Sequence, residues 1–183
     1  MIIDMAISFS AMNRVFEKGS KQKIAEKIEF SLGLLDETTC KDDFEKIHSE
    51  FCNWFVENVR KSKRNSGDIN NQSASYGQAA KLFNVATKVY IYYCHLPSNE
   101  SMVKLLPLIH AAVDTLMMKY LKTQYPEENF QAGTIEAVGR YEYLALQKLV
   151  IKNIQDEFMN LILPVHWDDI IWFRLNRPAE QFV

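Results

Sequence analysis

The stretch SYGQAAKLFNVATKVYIYYCHLP, residues 75–97, reads as one long helix that is apolar almost all the way round. Four polar residues interrupt it: Gln78, Lys81, Asn84 and Lys88. At about 100° per residue these four fall within one arc of roughly 120°, and Tyr92 and His95 extend the same stripe. Leu82, Phe83, Ala86, Val89, Tyr90, Ile91, Tyr93 and Cys94 fill nearly all the remainder. A surface helix carries a wide polar face. A narrow polar seam instead predicts a central helix, covered on most sides by other elements.

Outward from this helix, apolar residues recur at spacings of three and four. A first helix is expected over residues 4–17, stopped by Lys18-Gly19. A second, capped by Ser20, runs through Ile24, Ile28, Leu32 and Leu35. A third over 41–63 carries an aromatic face of Phe44, Phe51, Trp54 and Phe55. Residues 60–75, RKSKRNSGDINNQSAS, are basic and then rich in Asn, Ser and Gly, which predicts a mobile or binding loop. Beyond the quoted helix, further helices are expected over 104–125 and 135–163, with a short last one in HWDDIIWFRLN. No strand alternation, repeat or low-complexity tract appears. The reading is all-α: one domain, a compact bundle of about seven helices.

The 183 residues suffice to bury a substantial core. The net charge of −2 gives no global field toward nucleic acid or an anionic membrane, so any basic site must be local. Cys40, Cys52 and Cys94 are odd in number and lack paired CxxC spacing, which predicts free thiols in a reducing compartment. The first residues lack the basic start of a signal peptide, and no apolar run is long enough to span a membrane. A cytoplasmic protein with no membrane partner is expected.

Lysines on a buried helix must pair, snorkel, or suffer desolvation that depresses their pKa. A lysine of lowered pKa is a usable nucleophile toward a sugar or carbonyl carbon, so Lys81 and Lys88 are candidate catalytic groups. Structural pairing with a carboxylate is the alternative. In LIHAAVDTLMMKYL, His110 and Asp114 stand four apart and would share one face of the 104–125 helix. Asp114 could then pair with Lys81 or Lys88, orient His110, or act as a general base; its structural alternative is capping or bridging helices. Gln78, Asn84 and His110 are the candidate substrate-binding groups around them.

Arg60, Lys61, Lys63 and Arg64 form a basic cluster that either compensates a helix dipole or tracks phosphates. In the C-terminal PVHWDDIIWFRLNRP, acidic residues early and basic ones late complement the helix dipole. No metal-ligand spacing and no phosphate-binding glycine motif occurs, so neither a metal nor a cofactor is expected.

YGQAAKLFNVATK followed by HAAVDTLMMKYL resembles a pattern of uncharacterised bacterial helical proteins, and is similar to the helix-hairpin-helix DNA glycosylases. That resemblance matches Gly77 to the hairpin glycine, Lys81 to the catalytic lysine, and Asp114-Thr115 to the aspartate that opens another helix. It implies duplex DNA as partner and cleavage at a glycosidic bond without a metal. The chain has a single glycine here where the hairpin has a pair, and Ala112 where proline precedes the valine. Two readings stay open: a nucleic-acid-binding, base-excising enzyme, or a non-enzymatic module that docks a protein partner and whose seam is a structural polar network.

Overall fold

The computed structural model describes Asp4 and residues 15–38, 40–62 and 73–176. Seven α-helices occupy these residues: α1 Ser20–Gly33, α2 Lys41–Asn58, α3 Tyr76–Thr87, α4 Asn99–Leu105, α5 Thr115–Gln124, α6 Arg140–Phe158 and α7 Pro164–Asn176. Among the described residues the only β-type contacts are isolated bridges, Phe16 with Lys61 and Arg60 with Ser73. The fold is all-α, and among the described residues no helix is long and apolar enough to cross a membrane.

Helix α3 is the axis. It packs most extensively on α2 and also touches α1 and α6, while α5, α6 and α7 pack on one another. Leu82, Phe83, Ala86 and Val89 are almost wholly buried around it, and Phe83 stacks on Phe51 at 4.6 Å. Its start is a capping box: Ser75 Oγ accepts the Gln78 amide proton at 3.1 Å, and Gln78 Oε1 accepts that of Ser75 at 2.9 Å. Gly77 donates its amide proton to Val138 O at 2.9 Å. A Cβ at Gly77 would lie 2.5 Å from Ile135 O, so this close approach requires glycine.

Several expected boundaries move. After Thr87 the helix widens into a π turn, Lys88–Tyr93. The seam's 100° arithmetic stops there, and His95 lies exposed beyond the helix at φ 54°. The expected 104–125 helix is two helices. Pro107 cannot continue α4, residues 109–114 are irregular with a tight turn closed from Val113 N to Ala111 O at 3.1 Å, and Asp114 caps α5. The 135–163 helix shrinks to α6, preceded by a single 3-10 turn at Ile135–Ala137. The third helix stops at Asn58, because residues 60 and 61 form the two bridges instead. Of the first expected helix, only Asp4 and residues 15–17 are described. Phe16 there is bridged to Lys61 rather than helical.

Candidate functional site

The seam of α3 divides in two. Asn84 turns toward α2 and α6 and becomes the hub of a buried polar network. Its Nδ2 donates to Ala111 O at 2.9 Å and to Tyr143 Oη at 3.0 Å. A carbonyl only accepts, so the amide orientation is fixed and Oδ1 must accept. His48 Nε2 therefore donates to it, at 3.0 Å. Tyr143 Oη then donates its own proton to His110 Nδ1 at 2.6 Å, and His110 Nε2 donates to Glu45 Oε1 at 3.0 Å. The His48 ring stacks on Tyr143 at 5.1 Å. Burial holds His48 well below the ordinary histidine range, with His110 adding to the effect, and drives the Tyr143 phenol well above its own. Hydrogen bonding to His110 holds Glu45 below the usual carboxylate range. Both rings are positioned by partners on all sides, and the network reads as architecture.

That network grips the irregular 109–114 segment. Gln147 bonds Ala111 as a second backbone would, accepting from its N at 3.1 Å and donating to its O at 3.0 Å. On the opposite side Asp168 Oδ2 accepts the Ala112 amide proton at 2.7 Å. Asp114 Oδ1 caps α5, accepting from Leu116 N at 2.9 Å and Met117 N at 3.0 Å. His110 and Asp114 therefore share no helical face: one points into the network and the other caps a helix.

Lys81 and Lys88 lie on the other side of the seam and line one cleft of about 500 Å³. Its walls are Val85 and Val89 from α3 and the π turn, Tyr93 and Cys94 beyond them, Ala112 and Asp114 from the 109–114 segment, Met117 from α5, and Asp168, Asp169 and Trp172 from α7. Lys88 does not pair with Asp114. Its Nζ is clamped between Asp168 Oδ1 and Asp169 Oδ1, and Asp169 Oδ2 accepts from Tyr93 Oη at 2.9 Å. Burial pushes the Asp168 carboxyl up to about 6, outweighing the opposing pull of Lys88.

Lys81 has no such clamp. Among the described residues no carboxylate lies within 4.0 Å of its Nζ. Its pKa is lowered by burial, with Asp114 in the same cleft acting against that shift. Asp114 Oδ2 also lacks a hydrogen-bond partner among the described residues, since both capping bonds fall on Oδ1.

The remaining expected site residues lie elsewhere. Gln78 is spent in the capping box and takes no part in the cleft. Lys61 is buried, not solvated, and donates to Glu136 Oε1 at 2.8 Å. Arg60 is exposed and donates to Val56 O at 3.2 Å, closing the end of α2. Lys63 and Arg64 lie outside the described residues. The basic stretch thus offers Arg60 alone, among its described members, to a phosphate.

Sequence reasoning gave Asp168 and Asp169 to helix-dipole compensation, although neither lies in the first turn of α7, and it did not single out Glu45, His48 or Tyr143. Asp168 was legible: it stands three residues from both Val165 and Ile171, on the buried stripe of α7. Asp114 was legible as a cap, since Pro107 followed by Asp-Thr marks a break and a restart. His48 and Tyr143 carry no local signal.

A more open depression of about 490 Å³ lies beside Tyr76, with Glu57, Glu136 and Arg140 exposed around it. Among the described residues no group of three or more His, Cys, Asp or Glu side chains is arranged to hold a metal ion. No protein-family model matches the chain, and no curated protein and no solved structure matches it either.

Proposed function

We propose that the cleft is an enzyme active site in which the Lys81 amine attacks an electrophilic carbon and Asp114 moves the protons. The observation that carries this reading is Lys81 itself, a half-buried lysine facing a cleft without a neutralising partner among the described residues. Removing it from water favours the neutral amine, which is the nucleophilic form. Addition to a carbonyl forms the C–N bond and moves the carbonyl electron pair to oxygen. Asp114 relays a proton from nitrogen to that oxygen, once to give the carbinolamine and again to release it as water, leaving an imine. Lys88, tied to two carboxylates, acts as a structural cation and not as the nucleophile.

Reductive trapping tests the reading. With a small aldehyde and cyanoborohydride, Lys81 should be alkylated ahead of the exposed Lys104 and Lys119, as read by peptide mass mapping. Lys81→Met should remove that product without lowering the melting temperature. Labelling of Lys81 no faster than that of Lys119 would overturn the assignment.

Base excision from nucleic acid is the second reading, with Lys81 attacking a sugar carbon. Asp114 favours it by opening α5, where the glycosylase resemblance puts its aspartate. Borohydride trapping of the chain on duplex DNA carrying an abasic site tests this directly. A non-enzymatic protein-docking role draws instead on the exposed Tyr93, Tyr141, Trp172 and Phe173.

A further inference from the structure

Resting on the Lys81 reading, we infer that the cleft accepts an uncharged carbonyl compound with a flat apolar body and rejects anionic ones. Two lysines and three aspartates line it. Lys88 is already covered by Asp168 and Asp169, and the second oxygen of each aspartate is occupied, by the Ala112 amide and the Tyr93 hydroxyl. With Lys81 present as the neutral amine, a phosphate or carboxylate entering the cleft would find no uncommitted cation and an aspartate surplus. A like charge brought near these carboxylates is repelled more strongly beside the protein interior than in open water.

The walls supply the other half of the argument. Trp172 and Tyr93 stand about half exposed, at 50% and 54%, and both line the cleft. Across from α7, Val85, Val89 and Met117 complete an apolar surface. An aromatic ring stacked on the indole gains both apolar burial and ring–ring attraction. Lys81 and Asp114 line the same cleft. An aryl aldehyde or ketone fits this arrangement: its ring on the aromatic wall and its carbonyl at the amine, forming the imine with loss of water as above.

The experiment is a competition in reductive trapping of the full chain by benzaldehyde, 4-formylbenzoate and butanal. Each rate is normalised to that for a free lysine derivative, so that intrinsic aldehyde reactivity cancels. Lys81 should take benzaldehyde about ten-fold faster than 4-formylbenzoate, the ratio expected for one unfavourable charge contact, while Lys119 shows no such preference. Trp172→Ala should lower the benzaldehyde rate several-fold more than the butanal rate, bringing the two together. Lys81 labelled equally or faster by 4-formylbenzoate would overturn the substrate class while sparing the nucleophile. Lys81 inert toward all three would overturn both.

Discussion

Asp168, on α7, accepts the Ala112 amide proton at 2.7 Å and so fixes the backbone two residues before Asp114. Its other oxygen holds Lys88. One buried carboxylate therefore ties α7 to both walls of the cleft, the α3 side through Lys88 and the 109–114 segment through Ala112. The position of Asp114 relative to Lys81 depends on a residue that, among the described residues, is hydrogen-bonded to neither.

The raised Asp168 carboxyl makes stability depend on pH. The folded group titrates at about 6 and an unfolded aspartate near 3.9. Between those values the folded chain binds more protons, so stability falls as pH rises through about 4 to 6 and levels off above. The loss is on the order of 3 kcal/mol. Urea unfolding of the parent and Asp168→Asn from pH 4 to 7 should show the parent losing stability relative to the variant across that window. A difference independent of pH would refute the assignment.

Lys88→Met leaves Asp168 buried with no cation and should cost about 3–5 kcal/mol at pH 7. Adding Asp168→Asn should recover much of that loss, because the desolvated charge is then gone while a side-chain oxygen still accepts from Ala112 N. Chemical denaturation of the two single variants and the double completes the cycle. A double variant as unstable as the sum of the singles would mean that the pair is not coupled.

Asn84→Ala removes the hub of the network and weakens the bonding of Ala111 O, Tyr143 and His48 together. A cost of about 2–4 kcal/mol is expected, since each buried polar group left short of a partner costs roughly 1–3. Paired with Tyr143→Phe, the two losses should be non-additive by about 0.5–3 kcal/mol, because the residues share one hydrogen bond. Additive losses would show that the bond contributes nothing.

Gly77→Ala forces a Cβ against Ile135 O and Val138. The 135–138 segment must then move off α3, at about 1–3 kcal/mol or more. The measurement is thermal melting, with amide exchange at Gly77 and Val138 reporting the local displacement. An unchanged melting temperature would mean that the segment shifts freely.

Asp114 separates capping from chemistry. Asp114→Asn keeps a capping side chain and should change stability by only a few tenths of a kcal/mol, while slowing imine formation at Lys81. Asp114→Ala loses the cap as well and should cost about 1 kcal/mol. Equal trapping rates in the parent and Asp114→Asn would remove the residue from the proton relay.

The α3 segment shows how far the sequence alone determined this protein. Its apolar girth followed from residue spacing, because helical period maps sequence directly onto faces, and the all-α class followed from the same period elsewhere. The seam was equally legible, and Lys81, Lys88 and Asp114 do line one cleft. Its division was decided only in three dimensions. Asn84 and Lys88 lie four residues apart on one arc, yet one meets Tyr143 from α6 and the other Asp168 from α7, 59 and 80 residues away along the chain. Local spacing fixes which way a side chain points. It carries no information about which distant helix arrives there, and a buried charge or amide is defined by that arrival. Asp114 illustrates the converse: Pro107 and the Asp-Thr pair marked the break locally, but the irregular course of residues 109–114 is held because Gln147, Asn84 and Asp168 satisfy the backbone of Ala111 and Ala112 from three other helices.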